Sequence, residues 1–216
     1  MGIRATLETM SISSKKSVAA PVKPRSAPRN EVRIIGGQWK RSKLALADRA
    51  GLRPTPSRVR ETLFNWLGQD LNGWRCLDAF AGSGALGFEA ASRGASEVLL
   101  VEQDVAALAH LQQIKLRLRA DTVRVLRGDA LAVLRQRSGQ GLDLVFLDPP
   151  FCTDEPATLL LAALAAARAC LTENGLIYLE APRIWRTDEL AALGLQVQRQ
   201  GQAGQVAFHL LRSDRF

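Results

Sequence analysis

One short run in the chain has residue types that could bind a nucleobase and position it for a reaction. Asp148, Pro149, Pro150 and Phe151 follow an apolar stretch at 142–147 that is predicted to be a buried strand. Two consecutive prolines fix two φ angles and remove two N–H donors, so the backbone of these two residues offers only hydrogen-bond acceptors at a rigid position. The Asp148 carboxylate and the Pro149 carbonyl could both accept from an exocyclic amine, while Phe151 offers a face on which a base could stack.

A second run is typical of a turn that binds a nucleotide. Gly82, Gly84 and Gly87 form a GxGxxG pattern after the predicted strand 74–80, where glycines allow a tight turn and free helix N–H groups point at a ligand. Glu102 ends the next predicted strand, where an acid can accept hydrogen bonds from both ribose hydroxyls. Taken alone, this pattern also fits an NAD-dependent oxidoreductase.

Asp78 favours a different adenosine cofactor. Its carboxylate would lie beside the glycines at a strand end, where it would repel a pyrophosphate but attract the ammonium and sulfonium groups of S-adenosylmethionine. In an open α/β sheet, the strand end before Asp148 faces the same crevice. An oxidoreductase would also need an acid such as His or Tyr for hydride transfer, and the only tyrosine, Tyr178, lies in a predicted buried strand. We therefore expect S-adenosylmethionine as the cofactor.

Strands alternate with helices from Trp74 onward, which predicts a mostly parallel sheet covered by helices on both faces. The last two predicted strands would add a terminal antiparallel hairpin to that sheet. Glu89, in the first of these helices, is predicted to face solvent. The predicted strands are 74–80, 97–102, 122–127, 142–147, 175–181, 195–200 and 205–211, and the predicted helices are 85–93, 104–119, 129–137, 156–170 (closed by Asn174-Gly175) and a short one near 187–193.

The segment before this sheet predicts a smaller unit. Residues 32–46 indicate two short strands around Gly36-Gly37. A helix should follow, with Thr55 as its N-cap and Pro56 at its first position. Its apolar stripe would comprise Val59, Leu63, Trp66 and Leu67, with Arg58 and Arg60 pointing away from it.

Charge is distributed unevenly over the 216 residues, whose formal net charge is +8. Residues 1–60 contain 14 Lys+Arg and 3 Asp+Glu, whereas residues 61–216 contain 15 and 18. A basic N-terminal region on a mildly acidic body suggests a polyanionic partner such as nucleic acid. Composition predicts a disordered basic arm at 1–30, although an organellar transit peptide has a similar composition.

The sequence argues against a membrane-spanning protein and against a metal-binding protein. The longest apolar stretch, 159–167, is far shorter than the roughly 20 residues of a membrane span. Three cysteines without zinc-ligand spacing and only two histidines predict no metal site. The same cysteine usage favours a reducing compartment, so we expect a cytoplasmic protein.

The motifs together resemble a known group. DAFAGSGALGFEA, VEQD, GDA and DPPF occur in the order seen in class I S-adenosylmethionine-dependent amino-methyltransferases. The flank RIIGGQWKRSKL with LRPTPSRVRETLFNWL is similar to the RsmD family of 16S ribosomal RNA guanine-N2 methyltransferases, and this resemblance runs from about Arg33 to the C-terminus. DPPF is shared with adenine-N6 methyltransferases, whereas the second flank is more specific. The Pro56-Ser57 pair departs from the small polar and acidic residues usual there.

The resemblance implies a Rossmann-like class I methyltransferase domain at 71–216, with a mostly parallel seven-stranded sheet and a C-terminal antiparallel hairpin. It also implies a hairpin and helix extension at 31–70 that binds RNA. The implied reaction is methylation of the N2 amine of guanine 966 in 16S rRNA, within a small-subunit assembly particle, and we expect a monomer. A DNA adenine-N6 methyltransferase shares this chemistry but usually carries a target-recognition domain, for which 216 residues leave little room. A noncatalytic RNA-binding module would explain the charge but not the acids of the two motifs.

Residue roles follow from the same resemblance. Asp129 is assigned to the adenine amine, although it could equally be a helix N-cap. Glu102 is assigned to the ribose, and Asp148 to Phe151 are assigned to the target base. The methionine moiety is assigned to Asp78, Gly82 and Gly84, and Phe80 is also counted among the cofactor-binding residues. The predicted phosphate-binding surface comprises Arg33, Lys40, Arg41, Lys43, Arg53, Arg58 and Arg60.

Overall fold

The computed structural model of the chain describes residues 31–45, 56–150 and 156–214. Strands and helices alternate along most of this length. In chain order the elements are β1 Glu31–Arg33, β2 Lys43–Ala45, α1 Ser57–Trp66, β3 Arg75–Asp78, α2 Ala85–Ser92, β4 Glu97–Glu102, α3 Val105–Leu118, β5 Val123–Arg127, α4 Ala130–Gln136, β6 Leu142–Leu147, α5 Pro156–Cys170, β7 Leu171–Ala181, α6 Thr187–Ala191, β8 Leu195–Ala203 and β9 Val206–Ser213.

Seven strands form one sheet in the order β5-β4-β3-β6-β7-β9-β8. The strands β3 to β7 run parallel, and β9 is antiparallel to both of its neighbours, β7 and β8. The predicted seven-stranded, mostly parallel sheet with a C-terminal antiparallel hairpin is confirmed. Among the described residues, no helix is long and apolar enough to span a membrane.

Two hydrophobic cores cover the two faces of the sheet. Successive residues of one strand, such as Phe146 and Leu147, belong to different cores, because side chains alternate across a strand. Helices α1, α2 and α3 pack on the Phe146 face, and α4, α5 and α6 pack on the Leu147 face. The apolar character of β4 and β6 follows from this double coverage.

The start of β7 differs from the prediction. Asn174-Gly175 was predicted to close the preceding helix, but α5 ends at Cys170 and β7 begins at once with Leu171. Leu171 pairs with Leu142 and Leu176 pairs with Leu144, so the register shifts between these two pairs. The shift lets Asn174 and Gly175 remain within the strand.

The N-terminal extension, residues 31–70, contains the predicted hairpin, and Gly37 begins a turn in it, because its carbonyl accepts from the Lys40 N–H at 3.2 Å. Gly36 and Gly37 lie in the loop between β1 and β2, and that loop packs on α2. The Ser92 hydroxyl donates to the Gly36 carbonyl at 2.6 Å, and the Gln38 N–H donates to the Ser92 carbonyl at 2.8 Å. Gly37 has a φ of +73°, and a Cβ there would lie 1.8 Å from the Ser92 carbonyl oxygen. A glycine is therefore required for this contact.

Helix α1 begins at Ser57 with Pro56 as its N-cap, one position later than predicted, and Thr55 lies outside the described residues. Its apolar stripe joins the core that contains Phe88 and Leu100. The extension and the sheet thus share one core, and the boundary at residues 70–71 stays a prediction.

Glu89, predicted to face solvent, is fully buried in α2. Its carboxylate accepts from the backbone N–H groups of Ile35 at 2.7 Å and Gly36 at 2.8 Å. It also accepts from Nη1 of Arg60 at 3.4 Å and from Nε of Arg93 at 2.9 Å. This one carboxylate therefore joins the hairpin loop, α1 and α2.

Arg60 was predicted to bind phosphate, and this is wrong because its side chain is buried. The guanidinium donates to the Arg33 carbonyl at 3.0 Å as well as to Glu89. Burial lowers the pKa of Arg60, and the charge of Glu89 opposes that effect. Its position on the helix face that carries Phe64 keeps the charge inside the protein.

Replacing Glu89 by Gln should destabilise the protein by about 3–5 kcal/mol, because two buried guanidinium groups would lose their anionic partner. Urea unfolding measures this loss. Glu97→Gln, which breaks the partly exposed 3.5 Å pair with Arg75, is the matched control and should cost less than about 1 kcal/mol. Equal losses in the two variants would contradict the anchoring role of Glu89.

Candidate functional site

The carboxyl ends of the parallel strands open into one cleft with a volume of about 1200 Å³. Acidic side chains follow the strand ends across the sheet, because parallel strands all finish at the same edge. The carboxylates in strand order from β5 to β7 are Asp129, Glu102, Asp78, Asp148 and Glu180. The structure thus brings together four acids that the sequence analysis selected and one that it did not.

Asp78, at the end of β3, is nearly fully buried. Its Oδ2 accepts from the Gly87 N–H at 3.1 Å, and its Oδ1 is buried without a hydrogen-bond partner among the described residues. Burial raises the pKa of Asp78 to about 7, the Gly87 hydrogen bond opposes this shift, and the charge of Glu102 adds to it. A cationic group or an N–H donor of a ligand would satisfy Oδ1 and favour the ionised carboxylate.

The glycine turn follows Asp78 directly. Gly82 lines the cleft, and its N–H donates to Oε2 of Glu102 at 2.9 Å. Gly84 lies behind the wall as the N-cap of α2, with a φ of +73°. A Cβ at Gly84 would lie 2.6 Å from the Phe88 ring and 2.7 Å from a Leu111 methyl, so the turn packs too closely for any other residue.

Glu102 and Asp129 each have a structural role beside the one implied by resemblance. Oε1 of Glu102 accepts from the N–H groups of Gln103 at 2.9 Å and Asp104 at 2.8 Å. Asp129 caps α4 by accepting from the Ala132 N–H at 2.8 Å, which confirms the N-cap interpretation. Its Oδ2 accepts from Nε2 of Gln103 at 2.8 Å. These bonds fix both carboxylates in the wall of the cleft.

The predicted base-binding run lies at the end of β6. Asp148 is half-buried, Pro149 is buried and Pro150 is exposed, and all three line the cleft. Phe151 lies outside the described residues, so its contact with a base stays a prediction. Phe80, next to the glycine turn, also contributes to the wall.

Sequence reasoning missed two parts of the wall. Glu180 and Pro182 come from the end of β7, and residues 202–206 come from the turn between β8 and β9. Glu180 could have been selected from the sequence, because it is an acid near the end of the predicted strand 175–181. The hairpin turn had no such signal, because its place depends on β9 pairing beside β7.

The described charged residues that line the cleft are all acidic. Six of its lining residues are acidic, Asp104 being the sixth, and the described residues include no Lys or Arg in this wall. A pyrophosphate would meet only like charge here, whereas a cationic ligand would be attracted. No group of three or more potential metal ligands was found within the described ranges.

The predicted phosphate-binding cations lie apart from this wall. Arg33, Lys40, Arg41, Lys43 and Arg58 are exposed on the extension. Arg53 lies outside the described residues. Lys43 is also near α3, since its carbonyl accepts from the Arg117 guanidinium. The extension meets the cleft at Pro56, which lines the wall two residues before Arg58.

The curated proteins that resemble this chain include ribosomal RNA methyltransferases of the same name from two bacteria. The family model described as "Conserved hypothetical protein 95" matches residues 32–212. The chain is 40% identical over 195 residues to ribosomal RNA small subunit methyltransferase D of Escherichia coli, covering 89% of this chain and 95% of that protein. It is 42% identical over 159 residues to the protein of the same name from Haemophilus influenzae, covering 70% and 79% of the two chains.

Solved structures agree with these relatives. The yhhF protein of Escherichia coli superimposes with a TM-score of 0.71 at 38% identity, over 86% of this chain and 99% of that one. A protein from Thermus thermophilus superimposes with a TM-score of 0.65 at 32% identity, over 84% and 99% of the two chains.

Asp78→Asn tests the electrostatics of the cleft. The raised pKa means that the folded protein holds the Asp78 proton more tightly than the unfolded chain, so wild-type stability falls as the pH rises from about 4 to about 7. Asn has no such titration. We expect the variant to gain stability relative to wild type between pH 5 and pH 7, reaching on the order of 1–3 kcal/mol at pH 8. Urea unfolding at several pH values measures it, and parallel pH profiles for the two proteins would refute this account.

Proposed function

Because the chain belongs to the RsmD family of ribosomal RNA small subunit methyltransferases, we propose that it methylates the exocyclic N2 amine of one guanine in 16S rRNA, at position 966, using S-adenosylmethionine. The observation that carries the proposal is the acidic cleft, in which Asp78, Glu102, Asp129 and Asp148 line one wall. We propose that the substrate is the RNA within a small-subunit assembly particle and that the enzyme acts as a monomer.

The residues of the cleft fit the proposed cofactor. S-adenosylmethionine, when bound, supplies a methyl group made electrophilic by its sulfonium. The unpartnered Oδ1 of Asp78 is suited to the cationic end of this ligand. Glu102 would accept from the ribose hydroxyls and Asp129 from the adenine amine, while Phe80, Gly82 and Gly84 shape the turn beside the methionine moiety.

The protein's task toward the base is to make a poor nucleophile reactive. The lone pair of the guanine N2 amine is delocalised into the ring. By accepting its N–H groups, the Asp148 carboxylate and the Pro149 carbonyl would draw the lone pair out of conjugation and aim it at the methyl group. Pro150 keeps this acceptor pair rigid, and Phe151 would hold the base by stacking. Such positioning can lower a barrier by roughly 7–11 kcal/mol.

Asp148 would also act electrostatically, because the amine gains positive charge as it attacks. Asp78, Glu102 and Asp129 would hold the cofactor so that its methyl group passes to the amine nitrogen and its sulfur keeps the electron pair of the broken bond. The amine would then lose a proton, either to the Asp148 carboxylate or, if Asp148 only orients the amine, to solvent. A base in a folded RNA must first be unstacked or flipped to reach this position.

RNA would be held outside the acidic cleft. Phosphates are repelled by the wall, so the exposed cations of the extension are the surface suited to them: Arg33, Lys40, Arg41, Lys43 and Arg58. The Glu89 anchor keeps this surface at a fixed place relative to the cleft. Arg53 is included in the proposal from sequence alone.

Asp148→Ala should abolish methyl transfer to small-subunit RNA while leaving the affinity for S-adenosylhomocysteine within about twofold, because the residue faces the base. Incorporation of labelled methyl groups measures the first quantity, and calorimetric titration measures the second. Titration of the wild type with NAD is the comparison and should give no binding. Loss of S-adenosylhomocysteine binding in the variant would show that Asp148 is structural, and binding of NAD would refute the cofactor assignment.

Replacing both Lys40 and Arg41 by Gln should weaken RNA binding and make it less dependent on salt. Each lost phosphate contact lowers the slope of log affinity against log salt by about 0.7–0.9, so two lost contacts should lower it by roughly 1.5. Filter binding at several salt concentrations measures the slope. Arg212→Gln is the control, since Arg212 is an exposed residue of β9 outside the extension. A slope that both variants leave unchanged would exclude this surface.

A further inference from the structure

Glu180 is a buried acid in the cleft wall that the proposed reaction does not yet use. Only 3% of its surface is exposed, and it lies at the end of β7 among the residues that line the cleft. A carboxylate is rarely buried to this extent unless it is paired or has a functional role. Its position next to the proposed base-binding run suggests a role in binding the target base.

The sheet places Glu180 beside Asp148. Leu147 of β6 pairs with Leu179 of β7, and each acid is the next residue of its strand. Neighbouring strands lie about 4.8 Å apart, so the two backbones reach the cleft side by side. Burial raises the pKa of Tyr178, and the charges of Glu180 and Asp148 add to that rise, so both acids act on the same phenol.

Two neighbours orient Glu180. The Tyr178 hydroxyl donates to its Oε1 at 2.9 Å, within the core beneath the cleft. Arg60 acts from the same core: burial lowers the pKa of Arg60, and the charges of Glu89 and then Glu180 oppose that effect. The carboxylate is therefore oriented by a phenol and interacts electrostatically with a buried positive charge.

We infer that Glu180 reads the Watson–Crick edge of the target base by accepting from guanine N1–H, while Asp148 and Pro149 accept from the neighbouring N2 amine. Guanine presents N1–H and the N2 amine as adjacent donors, which matches two adjacent acceptors. Adenine presents an unprotonated N1 acceptor in the corresponding place, which would face a carboxylate and be repelled. Glu180 is thus a specificity residue, and this role rests on the proposed function.

The test compares RNA substrates that carry guanine or 2-aminopurine at the methylated position. 2-Aminopurine keeps the N2 amine but has an acceptor at N1. Wild type should prefer guanine strongly in kcat/KM. Glu180→Gln should lose roughly 10- to 100-fold in kcat/KM for guanine, and its preference over 2-aminopurine should fall at least tenfold, because the Gln amide can donate to the N1 acceptor. Affinity for S-adenosylhomocysteine should stay within about twofold.

Tyr178→Phe is the second variant, since it removes the hydrogen bond that orients Glu180 but keeps the charge. Its preference for guanine should fall about three- to tenfold, and this result stands if the Gln variant does not fold. Unchanged preference in either folded variant would overturn the role of Glu180. Failure of the proposed function looks different, because wild type itself would then leave the guanine RNA unmethylated.

Discussion

The buried Glu89 carboxylate determines how the two parts of the molecule are related. It accepts hydrogen bonds from two backbone N–H groups of the hairpin loop and from two guanidinium groups, on α1 and at the end of α2. A buried charge is tolerated only when it is paired in this way, so the extension cannot separate from α2 without a large cost. The same eight-residue helix begins at the glycine turn and donates the Gly87 N–H to Asp78. The place of the extension and the electrostatics of the cleft therefore depend on one element.

The acidic cleft and the basic surface of the extension are separate parts of the molecule. Carboxylates gather at the strand ends, where a cationic cofactor and the donor edge of a base are to be held, and the described residues place no cation in that wall. The extension has five exposed cations that could contact phosphates, and further exposed cations, such as Arg124, Arg127 and Arg183, lie on other parts of the surface. An RNA substrate would be attracted to one surface and pass only an uncharged base into the other. The overall charge of +8 hides this division, since residues 31–60 contain eight bases and two acids while residues 61–216 are net acidic.

Much of this arrangement could be predicted from the sequence, because it depends on local patterns. Apolar runs such as 142–147 predicted their strands, and Asp78, Glu102 and Asp148 were selected because each ends a strand of a parallel sheet. Burial of charge could not be predicted in the same way. Arg60 and Glu89 look like surface residues because each is a charged side chain on a helix, and only the docking of those helices makes them partners. Glu180 could have been selected as an acid near the end of a predicted strand, but its place beside Asp148 depends on the pairing of β7 with β6.

The central claim is that this cleft methylates one guanine of small-subunit RNA at N2, and mass mapping of modified nucleosides tests it most directly. 16S rRNA from a strain that lacks the gene would be compared with rRNA from the same strain carrying the wild-type gene. The account predicts that one N2-methylguanosine is absent from the first RNA and present at that position in the second. An identical set of N2-methylguanosines in both RNAs, or a difference on another base, would contradict it.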